Sequence, residues 1–424
     1  MERLILLLVI LALLCSTGNA EEFAVVHNDA RTTPGTQSFT SSGFGTPVAA
    51  MCMASYGATN GTSTAHAGFT IGFTDGTRQN TAFMRSKNGV TTTLTGKRAD
   101  TSDVLYLANQ DGATILRAQF SSWTTDGMVL NYSVAPATAY KVTCTLIGGV
   151  GISNAYTNIV STPATVDTST TVSTVGFQAD VLIGVVNGDG VYNDTNQAQG
   201  DLSIGFAVRG STQKALGILD VTAVTTTSLN QRNFSSRIGR SGTNSQQIEI
   251  QNFTSLGFDA TTRNTSTAAT MGYLALKFNG IAATGLAIDS PTATGSQSIT
   301  GITGTPQWGL LIAGSAQSLD VNVTNTDSEA FGVSTFTSTA QRCFAISSDD
   351  AVTTSNVDTL TDTKPICLIK DDAAFYNASF TSFSDSTATF NYGTANGTTR
   401  KWIGLFVGHV SAATSHRRGV VLLP

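Results

Sequence analysis

Hydrophobic side chains recur at every second position through much of the chain. Phe69, Ile71 and Phe73 alternate with Gly and Thr, Leu202, Ile204 and Phe206 alternate with Ser, Gly and Ala, and Phe331 and Val333 begin the same pattern again. Further on, Leu274, Leu276 and Phe278 alternate with Tyr273, Ala275 and Lys277, while Ile248 and Ile250 alternate with Gln247, Glu249 and Gln251. A period of two marks a strand with one face in a core. No amphipathic helical stretch of convincing length competes with it, so the chain reads as all-β.

The pattern is repeated in a higher order. Gln79 with Val90-Thr91-Thr92 returns as Gln213 with Val224-Thr225-Thr226 and as Gln341 with Val352-Thr353-Thr354, at identical internal spacing. A second landmark aligns Phe120-Ser121-Ser122-Trp123 with Phe253-Thr254-Ser255-Leu256 and Phe380-Thr381-Ser382-Phe383. Three copies of about 120 residues, each with short strands and turn signals such as Asp111-Gly112, predict three tandem β-sandwich domains of jelly-roll type, arranged as a rod. The divisions read as an N-terminal strand arm at 21–32, repeat 1 at 33–150, linker and repeat 2 at 151–285, repeat 3 at 286–410 and a C-terminal tail or strand at 411–424. Stretches 151–163 and 281–291, rich in Gly, Ala, Ser and Thr, read as linkers. The strand Phe23-Ala24-Val25-Val26 has no evident counterpart between the copies.

Composition narrows the function. Hydrophobic residues are 41% of the chain, enough for packed cores, while only 12% are charged and the net charge is −5, which gives no electrostatic reason to expect nucleic acid or an anionic membrane as partner. Arg3, the apolar run 4–14 and Gly18-Asn19-Ala20 read as a signal peptide, 1–20, directing the product outside the cell. No later apolar run is long enough for a spanning helix, so no membrane insertion is expected. Beyond the leader, Cys52 and Cys144 fall in the first copy and Cys343 and Cys367 in the third, disulfide candidates of an oxidising compartment.

Candidate chemistry is sparse. Nine Asn-x-Ser/Thr sequons make Asn60, Asn131, Asn193, Asn233, Asn252, Asn264, Asn322, Asn377 and Asn396 candidates for attached glycans. The loop 187–194 alternates oxygen ligands around Gly190, but a calcium loop would need an acidic entry residue where Val185 stands and a bidentate Glu where Asn196 stands. His27, His66, His409 and His416 have no metal-ligand spacing. No nucleophile elbow occurs, and no acid, base or cofactor motif stands out, so an enzyme is not expected and neither metal nor cofactor is assigned. Trp308, aligned with Ala49 and Val181, is the tryptophan with most claim to a binding role. The tail strand Val420, Val421, Leu422 and Leu423, or the N-terminal strand with Phe23, Val25 and Val26, is a candidate to complete a sheet in a neighbouring subunit.

Ile71-Gly72-Phe73-Thr74-Asp75-Gly76, the Phe380-Thr381-Ser382-Phe383 landmark and Leu146-Ile147-Gly148-Gly149 give the copies a resemblance to β-sandwich repeats of phage and viral structural proteins such as tail fibres and capsid decoration proteins. The resemblance implies a structural role and carries over no binding residues. The leader departs from the phage pattern and shifts the expectation to a secreted glycoprotein, a subunit of an extracellular filament or surface appendage assembled head to tail as a homopolymer. The alternative is a monomeric carbohydrate-binding adhesin or lectin.

Overall fold

The computed structural model describes residues 21–187, 194–241, 246–264, 268–323, 329–349, 351–370 and 373–410. Over these residues the protein is all-β, built from six antiparallel sheets, three of seven strands and three of four, with no helix among the described residues.

The first copy shows the plan. Its larger sheet runs, in spatial order, Phe23–Asp29, Lys141–Ile147, Ala49–Ser55, Ala67–Thr74, Gln79–Ser86 and Thr95–Asp100, and its smaller sheet runs Gly35–Thr40, Gly127–Val134, Thr114–Thr124 and Leu105–Ala108. Because successive side chains point to opposite faces, Ala50, Cys52 and Ala54 meet Phe39, Leu105, Leu116 and Met128 of the smaller sheet. Met51, Met53, Ile71 and Phe73 point the other way. The small residues of the alternating pattern therefore do not face water. Gly72 shows why they are small: a Cβ there would lie 2.0 Å from the Val104 carbonyl oxygen.

The second apolar face is covered by the other copies. Met51, Ile71 and Phe73 belong to one hydrophobic cluster with Val181, Ile183, Ile204 and Phe206 of the second copy and Trp308, Leu310, Ile312 and Val333 of the third. Strand exchange closes the arrangement. The seventh strand of the first sheet is Gln197–Ala198 from the second copy, paired to Lys97 and Gly96. Asn322–Val323 of the third copy ends the second sheet on Arg232 and Gln231. Thr64–Ala65 of the first copy ends the third sheet on Thr359 and Asp358. Each copy thus completes the sheet of the copy before it, and the third is completed by the first. The expected rod is corrected to a closed, pseudo-threefold ring around a shared core.

Two further readings are corrected. The supposed linkers are largely strands, Ile152–Ser161 and Ile281–Asp289, and they are the counterparts of Phe23–Asp29, each occupying the first edge of its own seven-stranded sheet. Gly, Ala and Thr in these segments are small because the strands also pack on a neighbouring copy. Phe23 stacks on Trp308 with ring centroids 4.8 Å apart, Asn80 Nδ2 donates to Thr157 Oγ1 at 2.8 Å, and the Thr212 hydroxyl donates to the Gly285 carbonyl at 3.0 Å. The second-copy landmark is also shifted. Phe253 pairs with Phe258 as Trp123 pairs with Met128 and Phe383 with Ala388, so Phe253, not Leu256, stands in the place of Trp123. Leu256 sits in the hairpin turn and is 52% exposed.

Both disulfides form as the copy-by-copy division suggests. Cys52–Cys144 joins directly opposite residues of adjacent strands, and Cys343–Cys367 ties the larger sheet of the third copy to its smaller one. With a sequence separation of 24, the latter contributes roughly 3 kcal/mol on the chain-entropy model.

A shared core predicts that the three copies unfold together. Scanning calorimetry of the oxidised protein should show one transition, and Trp308→Ala should lower the stability of the whole by about 3–5 kcal/mol. Separate transitions, with only one moved by the substitution, would count against a common core.

Candidate functional site

The repeated phrase marks the places where the copies meet. In each larger sheet it lies on the loop following the hairpin strand that starts at Gln79, Gln213 or Gln341. The three loops converge at one end of the ring and bond in pairs. Thr93 accepts from the Ala223 amide at 2.8 Å and donates to Val224 O at 2.9 Å. Thr227 does the same with Ala351 and Val352 at 2.9 and 2.8 Å, and Ser355 with Gly89 and Val90 at 2.7 and 3.0 Å.

The residue after each Val-Thr-Thr adds a side-chain bond. The Val224 amide donates to Thr93 Oγ1 at 3.1 Å, Val352 to Thr227 Oγ1 at 2.9 Å and Val90 to Ser355 Oγ at 3.1 Å. Thr93 and Ser355 pass their own hydroxyl protons to Val221 O and Lys87 O, each at 2.8 Å. All three hydroxyl residues are buried. A hydroxyl can accept and donate in this space, which no apolar side chain can do. The threonine pairs at 91–92, 225–226 and 353–354 face outward. Ala223 and Ala351 hold φ of 59° and 58°, where the first copy has Gly89 at 73°. Left-handed alanine is strained, so the junction holds these loops in a shape they would not choose alone.

The glutamine of the phrase has a different task. Gln79 Oε1 accepts from the Phe120 amide at 2.8 Å, Gln213 Oε1 from Ile250 at 2.8 Å and Gln341 Oε1 from Phe380 at 3.1 Å. Each accepting contact lies at a β-bulge of the smaller sheet. The side chain thereby fastens the larger sheet to the backbone group that the bulge frees.

The seams also carry polar residues that the repeat pattern did not single out. Gln231 donates to Ala330 O at 2.8 Å and accepts from the Ser315 amide at 2.7 Å. Asn187 donates to Phe83 O at 2.7 Å, and Asp194 accepts from the Thr101 amide at 3.0 Å. These two residues border 188–193, so the ends of the loop that fails the calcium pattern dock on the first copy, while the rest of that loop lies outside the described residues. Nearby, Asp103 meets Arg117 at 2.7 Å, yet burial pushes its carboxyl up to about 6. Asp100 is held low, its burial being outweighed by hydrogen bonds from Ser102 and Arg98. At the seam between the first and third copies, His27 shares a hydrogen bond with Thr143 Oγ1 at 3.1 Å. Burial, then the Arg342 charge, lower its imidazole from 6.5 to about 4.

The sequon asparagines divide sharply. Asn60, Asn131, Asn252 and Asn264 are exposed, and Asn322, Asn377 and Asn396 are half-buried. Asn233 is fully buried and donates to Lys401 O, which leaves no space for a sugar in this fold and removes it from the candidates. Asn193 lies outside the described residues, as do His416 and Val420, Val421, Leu422 and Leu423. Of the N-terminal assembly candidates, Phe23 and Val25 are buried in the shared core and Val26 is half-buried. Their strand is already paired with Lys141–Ile147 of its own chain. Trp308 is fully buried and donates to Thr335 Oγ1 at 2.8 Å, so it serves packing and presents no face to a ligand. Among the described residues no group of three or more His, Cys, Asp or Glu is placed to hold a metal.

A scan against models of protein families finds no match, and a search of curated proteins finds no relative.

Two measurements probe these seams. Thr227→Val leaves the Val352 amide without its side-chain acceptor and should cost about 1–3 kcal/mol, with faster hydrogen exchange at Val352 than in the wild type. For His27, a folded value below the unfolded one means that its contribution is present above about pH 6.5 and is lost as the pH falls toward about 4. The stability of the wild type should therefore drop more steeply across that window than that of His27→Leu. Parallel curves would show that the imidazole is not buried in its neutral form.

Proposed function

We propose that the protein is an exported structural glycoprotein, a subunit of an extracellular filament or surface appendage, in which three sandwich-like copies of one polypeptide take the place of a trimer. The observation that carries this reading is the closed exchange of edge strands around one core. An oligomer of separate chains dissociates on dilution, whereas copies joined in one chain stay together at any concentration. Two disulfides suit an oxidising, extracellular setting. The conspicuous repeated residues are accounted for by joining sheets and copies, which is what a mechanical element requires. Since Phe23–Asp29 is used inside the ring, we assign head-to-tail assembly to the apolar tail segment 420–423, which lies outside the described residues.

Electron microscopy of the secreted protein at rising concentration tests the proposal. Ordered end-to-end assemblies are expected from the full chain and should be lost on truncation after residue 410. Single particles at all concentrations from the untruncated chain would overturn it.

A further inference from the structure

The internal repeat supplies its own controls for a cavity of about 470 Å³ in the second copy, lined among others by Gln178, Ala207, Arg209, Gln251, Asn252 and Phe253. In the first copy the equivalent space is taken by Trp123, which lies against the hairpin turn: a Cβ on Gly76 would come 2.3 Å from its indole nitrogen. In the third copy Phe336 stands where Ala207 does, and it packs on Phe380, Phe383 and Phe390. The second copy has Ala207 and the smaller Phe253, and a Cβ on Gly210, the counterpart of Gly76, would meet nothing within 4 Å.

The same copy differs in one more respect. Asn252 pairs with Asp259 where Ser122 pairs with Val129 and Ser382 with Thr389, and Asn252-Phe253-Thr254 is a sequon that the other two copies lack at this place. A cavity and an acceptor for a sugar thus coincide in the one copy whose neighbours have neither the space nor the asparagine.

We infer that Asn252 carries an N-linked glycan whose first sugar rings occupy this cavity. The inference rests on the exported glycoprotein reading. In the modification, the Asn252 amide nitrogen bonds to C1 of the first N-acetylglucosamine, loses one proton, and displaces the polyprenyl pyrophosphate of the lipid-linked donor. The remaining N–H still donates to Asp259 Oδ2, 3.2 Å away. The lining suits a neutral polyol. Arg209 is paired with Asp180, and Glu249, which also lines the cavity, is held by Arg237 and Arg263, so an extra anion or cation gains little. Phe253 offers an apolar ring for the sugar face, and the volume lies in the range of ligand sites.

The test uses the full chain secreted from insect cells behind a host signal, which keeps it independent of residues 1–20. Glycopeptide mass spectrometry should find Asn252 occupied. An endoglycosidase acting on the first linkage should release that glycan at least ten-fold more slowly from native than from denatured protein. Ala207→Phe, which fills the space as in the third copy, should abolish the protection while leaving occupancy unchanged. An unoccupied Asn252, or equal release from native and denatured wild type, overturns the inference whether or not the variant folds. Filament formation is read separately, so either proposal can fail without the other.

Discussion

Each seven-stranded sheet buries both of its faces, and this constraint governs the rest of the structure. Antiparallel sheets usually keep one face for water. Here one face meets a smaller sheet of the same copy, and the other, with Ile71, Ile204 or Val333, can be covered only by the other two copies. A copy alone would expose a large apolar surface of the kind that drives association. The strand exchanges, the threonine junction and the polar seams all follow from the need to hold three such faces together.

Much of this fold was legible in the sequence. Alternation gave the strands, the repeat gave the copies, and cysteine placement gave both disulfides. The aligned positions Ala49, Val181 and Trp308 prove equivalent, each facing the shared core. What stayed hidden has a physical cause. The partners of alternating small residues cannot be read from one sequence, because Gly72 looks the same facing solvent as it does pressed against Val104. Strands 152–161 and 281–289 are made of residues that also make loops, and pairing to the edge of their own sheet, together with their seats against a neighbouring copy, keeps them extended. The shifted landmark arose because Phe followed by hydroxyl residues recurs three positions apart in a chain rich in Ser and Thr.

The repeated phrase has two separate tasks. Its glutamine fastens sheet to sheet, and its threonine loop fastens copy to copy. The hydroxyl that completes the junction stands just beyond the phrase as Thr93, Thr227 and Ser355. The interchange of Thr and Ser there is a signal for hydrogen bonding, because the methyl group is dispensable and the oxygen is not.

Joining the copies in one chain also releases them from identity. In a trimer encoded by a single short gene, any change would appear at three symmetric places at once. Here Trp308 enlarges one seam, Ala207 opens one flank, and the cysteines brace the first and third copies but not the second. Covalent linkage thereby lets evolution give each side of a symmetric body a character of its own, while the common axis preserves the shape that all three sides must share.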